Sequence, residues 1–279
     1  MTLLTRLFAC ATALLTASTA AVADGTDAQW TPLLDAKLSQ WEPFLGVPPR
    51  TTPVAGYTYA KNTPIGLRDP NGVFTVKEVD GEPVLHVSGE IFGGLTTLKS
   101  HANYHLRFQF RWGEKRWAPR LHVPRDSGVL YHCIGEHGAY SHIWMRSVEY
   151  QIQEKDVGDF YPLCGTRADF PAKRTGNFWR YTPDVPLRGI GERVAHSTDY
   201  QEKPNGEWNT AEIIVVGADA IHILNGRVVN ALRNIRYVEK ADAGKKEIPI
   251  TAGKIQIQSE GAEIEFRRIE IRPAEKIKH

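Results

Sequence analysis

An excess of charge of either sign is nearly absent from this chain. Its 279 residues carry 34 Lys and Arg against 32 Asp and Glu, for a net charge of +2. No Lys/Arg run is long enough to follow a phosphate backbone, which argues against nucleic acid as a partner. Cysteine is scarce: Cys10, Cys133 and Cys164 are the only three, and no metal motif with diagnostic spacing occurs. Helical periodicity is sparse, and no internal repeat is present. Long apolar runs are missing except at the start, where Arg6 is followed by LFACATALLTASTAAVA. That run is too short and too alanine-rich for a membrane span, which needs about 20 strongly apolar residues, and it ends in the small-residue pattern Ala21-Val22-Ala23. A secretory signal peptide over residues 1–23 is expected, with cleavage near Ala23-Asp24, a periplasmic location and no membrane span. Almost no apolar stretch precedes Cys10, so Leu7-Phe8-Ala9-Cys10 makes a poor lipidation signal. Export would allow Cys133 and Cys164 to pair, but a small buried hydrophobe on a strand and a loop thiol account for them equally well.

What the chain does contain is strand alternation. Val73 to Val79 and Pro83 to Ser88 flank a turn at Asp80-Gly81, the pattern of a hairpin. Tyr104, Leu106, Phe108, Phe110 and Trp112 alternate with His105, Arg107, Gln109 and Arg111. Trp208 to Val216 and Ala220 to Leu224 follow as a meander, with turns at Gly217-Ala218-Asp219 and Asn225-Gly226. The last alternating segment, GKIQIQSEGAEIEFRRIEIRP, turns at Glu260-Gly261 and reads as a closing hairpin. Many short strands without alternating helices predict an all-β fold, a two-sheet antiparallel jelly-roll sandwich spanning residues 24–279. Residues 155–206, rich in Pro, Gly and Arg, break the pattern and read as a long loop over a groove.

The segment Asp126 to Phe160 combines two buried strands with polar groups on one face. In Ser147 to Glu154, Val148, Tyr150 and Ile152 point one way and Glu149, Gln151 and Gln153 the other, because successive strand side chains alternate. One face packs and the other is free for chemistry.

In order and spacing, DSGVLYH, RSVEYQIQEKDVGDF, GEWNTAEIIVVG, IHILNGRVVN and GKIQIQSEGAEIEFRRIEI together resemble the 3-keto-disaccharide hydrolase family, over roughly Trp30 to Arg272. The resemblance implies a concanavalin A-like jelly roll and cleavage of glycosides whose sugar carries a ketone at carbon 3. Such a ketone acidifies the proton on carbon 2. A base can then remove it, the carbon-1 substituent leaves by β-elimination, and water addition completes a net hydrolysis.

That chemistry needs a base, an electrophile for the enolate oxygen and an acid for the leaving group. Glu149 and His132 are the candidate bases, with Lys115 and Arg146 as enolate stabilisers. A divalent cation on His132, Glu149 and His142 would be an alternative electrophile. Gln151, Gln153, Trp144, Trp117 and Trp179 are candidates for binding an oxidised saccharide. Against these stand ordinary roles: a solvated Glu149, a core His132, and Asp156 and Asp159 capping a turn. Two other functions remain open. One is a non-catalytic carbohydrate-binding module; the other is a direct retaining glycosidase pairing Glu149 with Glu154, which would need a bulge to bring both to one face.

Overall fold

The alternating segments fold into strands, and the computed structural model describes them over residues 29–241 and 244–277. The proposed signal peptide, its cleavage point and Cys10 lie outside the described residues. In chain order the first strands are β1 (Thr31–Pro32), β2 (Trp41–Leu45), β3 (Phe74–Val79), β4 (Glu82–Val87), β5 (Gly93–Thr97) and β6 (Tyr104–Arg116). The central group is β7 (Gly128–Ile134), β8 (Arg146–Gln151), β9 (Phe160–Leu163), β10 (Thr166–Thr175), β11 (Phe178–Tyr181), β12 (Leu187–Ile190) and β13 (Val194–Ala195). The last are β14 (Asn209–Val216), β15 (Asp219–Leu224), β16 (Arg227–Ala241), β17 (Gly244–Pro249), β18 (Lys254–Ser259) and β19 (Ala262–Pro273).

Two layers result. The front sheet runs β2, β5, β18, β7, β8, β9, β13, β11, β10, antiparallel except where β11 meets β13. The back sheet runs β3, β4, β19, β6, β14, β15, β16, with β1 beside β19. Strand β10 also pairs with β12 and β16, closing one edge of the sandwich. This is the antiparallel jelly-roll sandwich expected from the alternation.

Between the layers, Leu106, Phe108 and Phe110 of β6 meet Tyr131, Val148 and Tyr150 of the front sheet in one apolar core. The rings of Phe108 and Tyr150 pack edge to face at 6.0 Å. The two tyrosines keep their polar tips satisfied: the Tyr150 hydroxyl donates to Ile223 O at 3.0 Å, and the Tyr131 hydroxyl pairs with His222 Nε2 at 2.9 Å. Each such buried aromatic contributes on the order of 2 kcal/mol. The core thus fixes which face of β8 is left for function.

Two sequence expectations change. The C-terminal segment is not a hairpin: β18 joins β5 and β7 in front, whereas β19 joins β4 and β6 behind. Its turn at Glu260-Gly261 is a crossover between layers, because each strand finds its partners elsewhere. Residues 155–206 do not form a loop either; they contain β9 to β13, which extend the front sheet and tie it to β16. Proline and glycine punctuate very short strands there, so alternation never lasts long enough to be read.

Candidate active site

Cross-strand register brings Glu42, Thr96, Gln256, Leu130, Glu149 and Tyr161 into one row across the front sheet. Val148 and Tyr150 belong to the core, so this row occupies the sheet's outer face. A smaller apolar cluster of Leu130, Cys133, Trp144, Met145 and Leu163 covers part of that face. Beside it, a set of ionisable groups converges on Glu149.

The set is Asp126, Glu149 and Glu260 around one guanidinium, that of Arg120. Asp126 stands just before β7, Glu260 in the crossover after β18, and Arg120 in the segment after β6. Arg120 Nη2 contacts Asp126 Oδ2 and lies 2.9 Å from Glu260 Oε1, while its Nη1 donates to Gln153 Oε1 at 3.2 Å. Gly261 makes room for the arginine stem, since a Cβ there would lie 2.7 Å from Arg120 Cγ. Gly128 makes room for the acid: its Cβ would fall 2.3 Å from Glu149 Oε1 and 2.5 Å from Gln258 Oε1. The Glu149 carboxyl and the Gln258 amide therefore meet over the bare backbone of β7.

Electrostatics follow from this crowding. Burial pushes Asp126 up to about 8, reinforced by Glu260 and opposed by Arg120. Burial raises Glu149 well above the ordinary carboxylate range, and the charges of Glu260 and Asp126 push the same way. Glu260 is raised by burial as well, against the pull of Arg120. With one cation among three acids, the cluster retains protons at neutral pH. Glu149 Oε1, Asp126 Oδ1 and Gln258 Oε1 are all buried without a hydrogen-bond partner.

Of the residues singled out in the sequence, Glu149 and Gln151 share this face, and Gln153 positions Arg120. Gln151 Oε1 accepts from Ile152 N at 2.9 Å, and Gln153 Nε2 donates to Asp156 Oδ2 at 2.6 Å. The others lie elsewhere. Lys115 is exposed on β6 in the back sheet. Arg146 sits on the opposite face of β8 from Glu149, its guanidinium 4.4 Å over the Tyr237 ring and its Nε on Cys164 O. His132 occupies a bulge of β7 at φ 53°, which turns its fully buried ring toward Tyr131. Both of its ring nitrogens lack partners, and burial lowers it to about 4.

His142 is exposed in the segment between β7 and β8. His132, Glu149 and His142 are thus not gathered into a cation site, and no group of three or more His, Cys, Asp or Glu is placed to hold a metal among the described residues. Trp144 is buried, with Nε1 donating to Gly93 O at 3.2 Å, so it forms floor and not an open platform. Trp117 is tied through Nε1 to Ser88 O. Trp179 shares a cross-strand row with Val194, Phe160 and Tyr150, which places it on the face opposite Glu149.

Glu154 lies beyond the end of β8. Although burial opposes it, hydrogen bonds from Arg125 and Asn205 hold its carboxyl below the usual range. Held ionised, Glu154 could serve a retaining glycosidase only as the nucleophile, and Arg125 and Asn205 occupy both of its oxygens. Asp156 and Asp159 grip Arg193, which stands 5.5 Å over the Tyr161 ring next to Glu149. Both thiols are free: Cys133 is buried in the outer apolar cluster and Cys164 is half-buried.

Sequence reasoning missed Asp126, Arg120, Gln258, Glu260, Tyr161 and Arg193. The alternation of Gln256 and Gln258 in GKIQIQSE was the one local signal available. Arg120 had none, because its place depends on the packing of a distant turn.

A family model described as "3-keto-alpha-glucoside-1,2-lyase-like domain" matches residues 29–272. Among solved structures, two from Parabacteroides distasonis ATCC 8503 are each described as a "putative glycosyl hydrolase". They are 21% and 19% identical, cover 88% of this chain and 99% and 94% of their own, and have TM-scores of 0.47 and 0.49. A β-glucanase from Bacillus licheniformis is 9% identical and covers 90% of this chain and 100% of its own, with a TM-score of 0.37. The curated proteins yield no match. The matched span crosses both sheets and includes every member of the carboxyl cluster, and the chain belongs to the carbohydrate-processing family of 3-keto-alpha-glucoside-1,2-lyase-like domains.

Proposed function

We propose that the protein cleaves 3-keto-glycosides or 3-keto-disaccharides by abstracting the proton on carbon 2, eliminating the carbon-1 substituent and hydrating the product. The carrying observation is the cluster of Asp126, Glu149 and Glu260 around Arg120, with three buried oxygens left unpartnered beside it. Proton abstraction next to a ketone calls for a base whose affinity for the proton approaches neutrality, and acids crowded by burial and by one another have that property. In this reading Glu149 and Asp126 share a proton: the ionised partner takes the carbon-2 proton and the protonated one supplies the leaving oxygen. Tyr161, directly across from Glu149, and the Gln258 amide are neutral donors for the enolate oxygen. Export to the periplasm through residues 1–23 belongs to the same proposal, since oxidised saccharides would then be met outside the cytoplasm.

The test is incubation of the purified protein with 3-keto-trehalose or a 3-keto-glucoside in deuterated water. Released sugar and deuterium at carbon 2 are followed for the wild type and for Glu149→Gln. Release and exchange that both vanish in the variant support elimination. Binding of the unoxidised sugar without release from any 3-keto substrate would sink the proposal and leave a carbohydrate-binding module.

A further inference from the structure

A hollow of about 690 Å³ lies away from the carboxyl cluster, between the β9–β13 extension and the β16–β17 hairpin, and Trp179 forms one wall. Its volume falls within the range of small-molecule sites. The Trp179 ring is fixed at its edge, where Nε1 donates to Glu192 Oε1 at 3.1 Å. Opposite, Arg167 Nη1 donates to Glu247 Oε1 at 3.2 Å and Nη2 to Gly189 O at 3.3 Å, while Arg167 Nε is buried without a partner.

Gly191, part of the lining, is the informative residue. Its φ is not in the left-handed region, and a Cβ there would meet nothing nearer than 3.5 Å. Neither backbone strain nor crowding by the protein itself requires glycine at this position. A bare backbone at the wall of a hollow suits close approach by a ligand. The charges along the wall are paired, Arg167 with Glu247 and Arg174 with Glu192, so the hollow offers no net field to attract an anion. The Trp179 ring itself carries the Arg174 and Arg188 guanidiniums at 5.4 and 5.9 Å, so the hollow presents an indole edge among fixed carboxylate and guanidinium groups, a lining that suits the hydroxyls of a neutral polyol ring.

We propose that this hollow is a second saccharide-binding site, separate from the carboxyl cluster, and that it takes a neutral, unoxidised pyranose ring of a glycan. The site does not rest on the elimination chemistry. It would hold the protein on a polymer while the front face acts on oxidised ends.

The experiment titrates the purified protein with maltotetraose, cellotetraose and laminaritetraose, by calorimetry and saturation-transfer NMR. Saturable binding of at least one, weakened about tenfold or more by Trp179→Ala, is expected. Because Trp179 also packs against the core, Gly191→Val is the second variant; it fills the hollow from an exposed position and should weaken binding equally. Glu149→Gln should bind as the wild type does, so a failure of the catalytic proposal stays separate from a failure of this one. No saturable binding of any of the three, binding unchanged in Gly191→Val, or binding lost in Glu149→Gln would overturn the proposal.

Discussion

Gly128→Ala tests whether the Glu149 carboxyl must sit where it does. The backbone at Gly128 is not left-handed, so alanine meets no conformational penalty; removing a glycine from a strand is by itself favourable by about 0.5–1 kcal/mol. The new methyl would instead land 2.3 Å from Glu149 Oε1 and 2.5 Å from Gln258 Oε1, against ordinary contact beginning at 3.4 Å. Both side-chain ends must retreat by roughly 1 Å, at an overpacking cost of about 1–3 kcal/mol. The net loss of stability is then about 0–2.5 kcal/mol, small enough to keep the protein folded. A displacement of that size at a proton-transferring group costs about a hundredfold in rate, or about 2.7 kcal/mol of barrier. Urea unfolding gives the first number and turnover of a 3-keto-glucoside the second. Turnover within about threefold of the wild type, in a folded variant, would refute the placement of Glu149 at the reacting carbon.

Glu154→Gln should lose about 1–3 kcal/mol in urea unfolding, through its contacts with Arg125, while turnover stays near wild type; a loss as deep as that of Glu149→Gln would instead point to a glutamate pair. Arg120→Met removes the cation that holds Asp126 and Glu260. Asp126 is raised to about 8 from an ordinary 3.8, so its contribution to stability is full below about 3.8 and is lost as pH rises toward 8. The variant should raise these carboxyls further, widen its stability deficit as pH rises above about 8 and cut turnover more than tenfold; a deficit independent of pH would contradict this. His132 and His222 are both lowered to about 4 by burial, so the stability they contribute is full above about pH 6.5 and is lost as pH falls toward 4. His132→Asn, which places a residue that tolerates the φ of 53°, should flatten that acid limb by on the order of 1 kcal/mol per pH unit. An acid limb with unchanged slope would mean that His132 titrates normally.

The layers of the fold were legible because alternation along one strand is a local property. Phe108 and Phe110 declare one face of β6, and Val148 and Tyr150 one face of β8, without knowledge of what they meet. Strand partners were not legible in the same way. Segments β18 and β19 look like a hairpin because they are adjacent and alternate in phase, yet the register that buries Ile257 and Phe266 sends them to different sheets. The 155–206 segment failed for a related reason. Strands as short as Val194–Ala195 are held by their neighbours and not by a pattern of their own.

The site divides along the same line, and the division bears on mechanism. Glu149 and Gln151 follow from alternation alone, and the other acid of the same segment, Ser147 to Glu154, is Glu154. The acids that crowd Glu149 come from the entry to β7 and the crossover after β18, which are distant in sequence. A retaining glycosidase needs one carboxylate kept ionised as nucleophile beside one kept protonated as acid. Here the one nearby carboxylate held firmly ionised, Glu154, is sequestered by Arg125, and the acids around Arg120 are pushed toward the same protonated side. Acids that are all raised by burial are poorly suited to separate nucleophile and acid roles but well suited to passing a single proton between carbon and oxygen, which is the demand that elimination next to a ketone makes.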